Sequence, residues 1–251
     1  MSLLAKSCGD WHIRVTDQAS FILPSPLGFI PVVTSLDVTC DAAAVVDVKL
    51  GGTRASLAVN PTGSNNEFTV RSLRGGDSGE GISVEVVENG NNTALSVVTT
   101  VNAVPATGGY DVDIVVNVAT DGSGNGTSTA KEVIDAINAD TTANLYVEAY
   151  PTTSVATTAG VIDSDVAVAS LAGATPSTTD AWQGEFEAAF VLSKVFPPGA
   201  LKGSYGGDDV RVAISAGTDR ELTLSGFYIP GALQSVPTGV LRSPAGLLRR
   251  L

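Results

Sequence analysis

Hydrophobic and polar residues alternate with a period of two along most of this chain. Because successive side chains of a β-strand point to opposite faces, the alternation predicts strands that bury one face. Turn-forming glycine and asparagine residues separate these stretches, a pattern typical of antiparallel sheets. The predicted strands lie at residues 35–39, 45–50, 67–73, 82–88, 94–101, 111–119, 145–150, 161–171, 182–192, 210–215 and 221–229.

One segment departs from this period. Ala130, Val133, Ile134 and Ile137 recur at spacings of three and four residues, which predicts an amphipathic helix at about 129–140 with its apolar stripe against a sheet. Thr129 and Glu132 have the spacing of a capping box at the helix start. Only 16% of the residues are charged, and glycine is frequent. The chain is therefore predicted to be mainly β, with one clear helix.

The net charge of −12 is unevenly distributed along the chain. Residues 66–175 carry 14 acidic and three basic side chains, whereas the remaining residues are almost neutral. Turn-rich segments at 60–66 and 172–182 coincide with the two charge boundaries. These two signals predict an inserted acidic α+β module at 66–175, and a discontinuous β domain formed by 1–65 and 176–251.

Charge and hydropathy also bear on partners. An acidic middle region repels phosphate, and no basic stripe interleaved with aromatic residues is present, so we expect no sequence-specific nucleic-acid partner. The most apolar window, 21–33, contains three prolines and is too short to span a bilayer. We expect no membrane partner, and interpret this window as an arm that covers a surface or binds a partner.

The two cysteines and the N-terminus give little indication of a special environment. Cys8 and Cys40 form no C-x-x-C pair, so we interpret them as ordinary thiols and leave a disulfide between them as the alternative. The first residues, MSLLAKSCGDWH, contain neither the apolar region nor the cleavage motif of a signal peptide. We therefore expect no export signal.

The stretch DGSGNGTSTAKE at 121–132 has the oxygen spacing of an EF-hand calcium loop. Its candidate ligands are Asp121, Ser123, Asn125 and Glu132. A true EF-hand loop lies between two helices and carries an apolar residue at position 8, whereas this stretch follows a predicted strand and has Ser128 there. The pattern favours a strand-to-helix turn, with a weak calcium site as the alternative.

The sequence contains no pattern typical of a catalytic site. His12 is the only histidine, and its surroundings, GDWHIRV, contain neither a nucleophile motif nor an orienting acid. The carboxylate pairs Asp111/Asp113, Glu185/Glu187 and Asp208/Asp209 are interpreted as side chains on a solvated strand face. The glycine pairs at 75–76 and 206–207 lack the residues of a phosphate-binding loop. We predict a protein that is not an enzyme and has no cofactor, catalytic residue or dedicated metal ligand.

The middle of the chain resembles a β-rich module of tailed-bacteriophage virion proteins. The resemblance covers residues 68–174 and includes FTVRSLRGGDSGEGISVEVVENG, the helical STAKEVIDAIN, LYVEAY and a closing SLAGATP. In such modules a glycine-rich turn precedes an I-x-V strand, a helix of the form STA-x-x-V-x-x-AIN follows, and an LAGG-like end returns the chain. Gly173-Ala174 here is a small departure from that ending.

The flanking regions resemble major tail proteins, which form the tail tube. The similar stretches are SLDVTCDAAAVVDV, WQGEFEAAFVLSKV and ELTLSGFYIPGALQSVPTG. The resemblance implies a β-sandwich that oligomerises into stacked rings, with the inserted module projecting outward. It also implies assembly in the host cytoplasm, a final location in the virion, and partners that are copies of the chain and other virion proteins.

Two other functions remain as alternatives. A capsid decoration protein would form trimers on the head and use the same β domain. An adhesin or carbohydrate-binding module would stack sugars on exposed aromatic residues such as Trp11, Trp182, Tyr205 and Tyr228. For assembly, the proline-containing segment 21–33 and the loop 196–207 are the predicted contacts between subunits, with solvated loops of a monomer as the alternative.

Overall fold

The computed structural model describes residues 10–153, 158–176, 182–197, 199–204 and 207–231. Nine strands outside the predicted insertion, or at its edges, build a β-sandwich, and the mainly β fold class with one helix is confirmed. The nine strands are β1 (Asp10–Thr16), β2 (Ser20–Leu23), β3 (Phe29–Cys40), β4 (Ala44–Leu50), β12 (Trp182–Phe186), β13 (Phe190–Val195), β14 (Leu201–Lys202), β15 (Val210–Ile214) and β16 (Arg220–Pro230).

The sandwich consists of two antiparallel sheets. Sheet I has the strand order β1-β16-β3-β13, and the short β14 also pairs with β3; sheet II has the order β12-β4-β15-β2. Alternate residues of both sheets point inward and form one hydrophobic core, which is why these strands show a period of two. Its most deeply buried members include Val33, Leu36, Val46, Val48, Val210 and Leu224.

The residues between 54 and 174, called the insert from here on, form a second core. Its elements are β5 (Ser56–Val59), β6 (Phe68–Ser72), β7 (Ile82–Glu88), β8 (Ser96–Val101), β9 (Val112–Val118), helix α1 (Ala130–Ala139), β10 (Val147–Pro151) and β11 (Val166–Ser170). Sheet III has the order β10-β6-β5, and sheet IV the order β11-β7-β9-β8. Every buried residue of this core lies between Ala55 and Leu171, whereas no member of the sandwich core lies there.

Helix α1 occupies the position that its periodicity predicts. Its apolar stripe, Ala130, Val133, Ile134 and Ile137, is buried in the core of the insert. The capping box is confirmed: the Thr129 hydroxyl accepts from the Glu132 amide, and the Glu132 carboxylate accepts from the Thr129 amide over 2.8 Å. These hydrogen bonds satisfy amide groups that have no partner within the helix, so the helix begins sharply at Ala130.

Two predictions of strand arrangement were wrong. Strand β7 pairs with β9 in parallel, because β8 lies on the far side of β9 instead of between them. Residues up to 65 were assigned to the flanking domain, but β5 pairs with β6, and Val59 packs in the core of the insert. Since β5 is short and its alternation weak, the local pattern does not show which core it joins.

The predicted arm at 21–33 is part of the sandwich. Phe21, Leu23, Val32 and Val33 are buried in strands β2 and β3, at 4% exposure or less, so this window is not a free arm. Its prolines are tolerated because Pro24 lies after the end of β2, and Pro31 lies beyond the two residue pairs of β14 and β3, where its carbonyl accepts from the Gly203 amide. The loop 196–207 likewise contributes Phe196 and Leu201 to the core, although residues 198, 205 and 206 lie outside the described part.

The insert leaves and re-enters the sandwich at neighbouring points. The Thr53 amide donates to the Thr175 carbonyl over 2.9 Å, the two hydroxyls lie 2.8 Å apart, and Gly52 forms a bridge with Pro176. Gly52 has a φ of 146°, and a Cβ on it would lie 2.0 Å from the Thr175 carbonyl oxygen, so only glycine fits this crossing.

We expect the sandwich to fold without the insert. Replacing residues 54–174 by a short Gly/Ser linker should leave a protein with one cooperative thermal transition, because both ends already meet and the sandwich core loses no member. Circular dichroism and calorimetry would measure the transition.

The matched comparison is a deletion of 66–175, which leaves β5 without β6. This second variant should aggregate or unfold at lower temperature, because Leu57 and Val59 lose their cover. Absence of a cooperative transition in the 54–174 variant would show that the two cores depend on each other.

Candidate functional site

The predicted calcium loop is a hydrogen-bonded turn between β9 and α1. The Asp121 carboxylate accepts from the amides of Ser123 and Asn125, at 2.7 and 3.0 Å, and these bonds hold its pKa below the usual range. The Glu132 carboxylate accepts from Thr129 at the helix start. The two carboxylates are therefore committed to two different local turns, as the strand-to-helix interpretation requires.

A different group of acids lies beside this turn. The Gly126 amide donates to both Glu88 and Asp163, at 2.8 and 2.9 Å, and the Glu88 amide donates to Asp165. Burial, together with the two neighbouring aspartates, raises the pKa of Glu88. Among the described residues, no cluster of three or more histidine, cysteine or acidic side chains is placed to hold a metal ion.

His12 lies on the solvent-facing side of sheet I. Its Nδ1 is 2.8 Å from the Ser225 hydroxyl, because the two residues are directly opposite each other on β1 and β16. The pair borders a shallow depression of about 410 Å³ that Asp10, Trp11 and Thr34 also line. No acid hydrogen-bonds to the imidazole in the described part of the chain, so the pair lacks the third group that would orient a catalytic base.

The acidic pairs fall into two groups. Glu185 and Glu187 are exposed, and Asp111 and Asp113 share the Asn102 amide at the edge of sheet IV. The prediction was wrong for Asp208 and Asp209, which are each only 2% exposed. Adjacent residues of an extended chain cannot both point to one solvated face, and this pair lies where the sandwich meets the insert.

A polar junction joins the two cores around Asp209. Its Oδ2 accepts from the Ser78 amide over 3.0 Å, and its backbone amide donates to the Gly75 carbonyl. Arg74 of the insert donates to the carbonyl of Ser25 in the sandwich over 2.9 Å. Burial raises the pKa of Asp209 to about 7, although the hydrogen bonding of Ser78 and the charge of Arg74 oppose the shift.

Aromatic rings enclose the Arg74 guanidinium. It lies 4.8 Å from the ring centre of Tyr110 and 5.9 Å from that of Tyr146, and it donates to the Leu145 carbonyl. Burial raises the pKa of Tyr110, and that of Tyr228 to about 12. The sequence signal for this junction is the pair Gly75-Gly76 beside Arg74, because glycine allows the backbone to approach a buried group closely. The pair was predicted only not to be a phosphate-binding loop.

A second buried charge cluster lies inside the insert. The Glu148 carboxylate accepts from Arg54 over 3.0 Å and from Arg71 over 2.5 and 3.1 Å. The side chains of Glu148 and Arg54 are 1% and 5% exposed. Glu148 and Arg71 are opposite each other on β10 and β6, so sheet pairing itself brings the charges together. This cluster ties sheet III together, and its Glu148 and Arg54 side chains are shielded from solvent, whereas Arg71 is partly exposed.

Three residue rows on the outer face of sheet I are polar up to its β13 edge. They start at His12, Arg14 and Thr16 on β1 and cross β16 and β3 before they reach β13. Arg14 pairs with Glu221 on this face. On β13 the outward positions include Val191 and Val195, which are 80% and 75% exposed, the highest values among the exposed large hydrophobic residues of the described chain. An apolar edge on a polar face is typical of a contact surface.

The edge with the exposed valines is also unpaired. Within the described residues, β13 is the last strand of sheet I and β12 the last strand of sheet II, so both expose backbone groups on the same side of the sandwich. A stacked pair, Phe186 and Phe190, with ring centres 3.9 Å apart, closes the turn between them. We call β12 and β13, with Val191 and Val195, the open side. Sequence reasoning missed it, although the consecutive apolar residues 190–192 break the alternation.

The opposite edge of sheet II is covered. The Ile22 amide of β2 donates to the Thr107 carbonyl over 2.8 Å, and the Gly109 amide donates to the Ile22 carbonyl over 3.0 Å. A Cβ on Gly108 would lie 1.8 Å from the Ile22 oxygen, so glycine is required for this approach. The insert therefore protects one edge of the sandwich and leaves the open side free.

Aromatic residues predicted to stack on sugars are largely inside the sandwich. Trp11 is 8% exposed and packs near Tyr228, with ring centres 6.1 Å apart. Trp182 packs edge-on against Phe196. Tyr205 lies outside the described residues. The three described rings therefore form no shared exposed platform.

The structure bears in part on the predictions about the two cysteines and about a membrane partner. Cys40 is a buried free thiol whose sulfur lies 3.5 Å from the Ala216 carbonyl. Cys8 lies outside the described residues, so its pairing stays a prediction. In the part of the chain that the structure describes, no helix has the length and apolar character needed to cross a membrane.

We expect Glu148→Gln to destabilise the insert by about 3–5 kcal/mol, because it removes the carboxylate from the buried guanidinium of Arg54 and the partly buried one of Arg71. Glu67→Gln is the matched control: Glu67 is exposed, and its change should stay within about 0.5 kcal/mol. Urea unfolding followed by circular dichroism would measure both. Equal effects of the two variants would contradict a structural role for the cluster.

No protein-family model matches the chain. A search of curated proteins found no similar protein, and a search of solved structures found no similar fold. Function is therefore inferred from the contacts, burial and charge described above, together with the resemblance of the sequence motifs.

Proposed function

We propose that this protein is a non-enzymatic structural subunit of a tailed-bacteriophage virion, and that it builds the tail tube by assembling with copies of itself into stacked rings. The observation that carries the proposal is the open side, where Val191 and Val195 project from an unpaired edge strand. Exposed edge strands promote pairing between chains, and apolar side chains on them strengthen it. A subunit that closes into a ring buries such an edge in a defined contact.

The polarity of the surface favours a directed contact over general aggregation. The insert already covers one edge of sheet II at Ile22. Of the two terminal strands of sheet I in the described chain, β1 and β13, only β13 carries the highly exposed valines, so copies meet through a restricted strip around β13. The near-neutral charge of the sandwich residues adds no large repulsion between neighbouring subunits.

The insert keeps its acidic surface outside the ring. Residues 66–175 carry a net charge of −11, and copies of this region repel each other. Placing the insert on the outside of a ring maximises the distance between the charges. The same repulsion keeps assembled particles soluble, as expected for a virion surface.

A capsid decoration protein is the alternative that uses the same surface. Its contacts would close as a trimer on the head, whereas tail-tube contacts continue in rings that stack. The carbohydrate-binding alternative requires exposed aromatic rings, and Trp11 and Trp182 are packed against other aromatic side chains. Stacked rings, trimers or a monomer would therefore distinguish the tail-tube protein, the decoration protein and the carbohydrate-binding module.

Electron microscopy and light scattering of the full chain over a concentration series test the proposal. Rings of fixed diameter that stack into tubes are the expected result. Trimers that never stack would favour the decoration protein. A monomer at every concentration would reject both the tail-tube and the decoration function. It would favour the carbohydrate-binding module instead.

A charge on the open side should prevent assembly. We expect Val191→Glu to weaken association at least tenfold, because the contact would lose about 1.5–2 kcal/mol of apolar burial and would enclose a charge. Val168→Glu is the matched control, since Val168 is a 60% exposed valine of the insert, away from the open side. Light scattering measures the dissociation constants. Equal weakening by both variants would contradict the assignment of the contact.

A further inference from the structure

The junction between sandwich and insert is built around a carboxyl group. Gly76 has a φ of 111°, and a Cβ on it would lie 2.8 Å from the Asp209 Oδ2. Gly51 stands in the same relation to Asp208, at 2.7 Å from the carboxyl carbon. Glycine at both positions allows the backbone to approach the two acids. The Asp209 side chain is enclosed between the two cores, whereas the Asp208 carboxylate accepts from the Ser204 amide within the sandwich.

Asp209 has few partners for a buried acid. Its Oδ2 accepts from the Ser78 amide, whereas its Oδ1 has no hydrogen-bond partner among the described residues. A carboxylate that is enclosed in this way is costly to ionise, because water cannot solvate the charge.

The charged groups around Asp209 offset the charge of its ionised carboxylate only in part. The charge of Arg74 lowers the pKa of Asp209, but the hydrogen bonds of its guanidinium go to the carbonyls of Ser25 and Leu145. Arg211 lies 3.5 Å from Asp77 across the same junction, so its charge is already paired. Asp208 is the adjacent residue and adds to the repulsion.

Three tyrosines complete the titratable surroundings of the junction. Tyr110 and Tyr146 come from the insert and pack on Arg74, and Tyr228 comes from β16 of the sandwich. Tyr110 and Tyr228 are neutral at physiological pH, since burial raises the pKa of both above that of an ordinary tyrosine. None of them can compensate for ionisation of Asp209.

We propose that this junction is a pH-operated latch, which is closed while Asp209 is protonated and loosens when Asp209 ionises. Loosening exposes the carboxylate to water and releases the hydrogen bonds that Asp209 makes across the junction to Gly75 and Ser78. The insert then stays connected to the sandwich through the chain crossing at Thr53 and Thr175. The latch does not depend on which assembly the protein forms.

The direction of the pH effect follows from linkage. In the closed form burial raises the pKa of Asp209 to about 7, whereas an exposed aspartate has a value of 3.8. Below pH 3.8 both forms are protonated and the closed form keeps its full stability. As the pH rises from there to about 7, the open form ionises first and opening becomes about tenfold more favourable per unit. Above that value both forms are ionised and the effect levels off.

Hydrogen exchange of the full-length protein tests the latch. The amides of Ser78 and Asp209 cross the junction, and their protection factors, corrected for intrinsic exchange, should fall about a hundredfold between pH 5 and pH 8. Amides of Val48 and Val116 lie in the two cores and should remain more protected at both pH values. Junction amides that exchange in step with the core amides would overturn the proposal, because opening would then be global unfolding.

Asp209→Asn separates the latch from other pH effects. The amide has the same shape and cannot ionise, so junction protection should become independent of pH between 5 and 8. Asp121→Asn is the matched control, an acid of the turn before α1 that should retain the pH dependence of the unmodified protein. A hundredfold fall that persists in Asp209→Asn would overturn the assignment to Asp209.

A direct titration covers the case in which Asp209→Asn does not fold. Carbon-detected NMR of the unmodified protein follows the Asp209 carboxyl and the Ser78 amide. Both should shift with a common midpoint near pH 7. A midpoint below pH 5, or a Ser78 amide that does not follow the carboxyl, would overturn the proposal.

Discussion

The insert leaves and re-enters the sandwich through one narrow crossing, where the Thr53 amide donates to the Thr175 carbonyl over 2.9 Å. Because both chain passages meet there, the insert can fold around its own core while the sandwich keeps its strand order. The surfaces beside the crossing then lie between two cores and are shielded from water. Their polar groups have to find partners across the junction, as Asp209 and Arg74 do.

The same junction determines which edges of the sandwich are available. By placing the Ile22 backbone against residues 107–109, the insert covers the β2 edge of sheet II. The β12 and β13 edges have no such cover in the described chain, and the exposed valines lie there. Strand β1 also ends sheet I in the described chain, but it carries no exposed large hydrophobic residue, so the covered β2 edge and the valines of β13 limit how copies can meet.

Local pattern was sufficient for elements that bury one face. The strand predicted at 82–88 coincides with β7, and the helix with its Thr129 cap lies where periodicity predicts it. These elements follow from the alternation of their own residues and from hydrogen bonds within a few positions. The prolines in 21–33 obscured β2 and the first half of β3, because proline is normally evidence against a strand.

Long-range features could not be predicted in this way. The parallel pairing of β7 with β9 depends on where β8 is placed, and no residue within β7 encodes that choice. The burial of Asp209 depends on Gly76, 133 positions earlier in the chain. A sequence pattern shows that Asp208 and Asp209 are acidic and adjacent, but burial requires both cores to be in place.

The candidate sites also differ in whether local sequence or long-range contacts determine them. The calcium-like loop was visible in the sequence because its residues are contiguous, and local contacts account for it: Asp121 and Glu132 each bind neighbouring amides. The open side was partly visible, since the apolar run 190–192 breaks the alternation of a half-buried strand. Exposure of Val191 and Val195 follows only from the position of β13 at the end of its sheet.

The proposed assembly contact and the junction lie on different sides of the sandwich. The open side ends sheet II at β12, and the junction involves β2 and the start of β15 at the other side. Loosening of the insert therefore need not disturb a contact made through β13. It would instead uncover the Ile22 edge of β2, which becomes an unpaired strand edge once the contacts to residues 107–109 are lost. The insert thus protects the sandwich from a second mode of pairing as long as the junction holds.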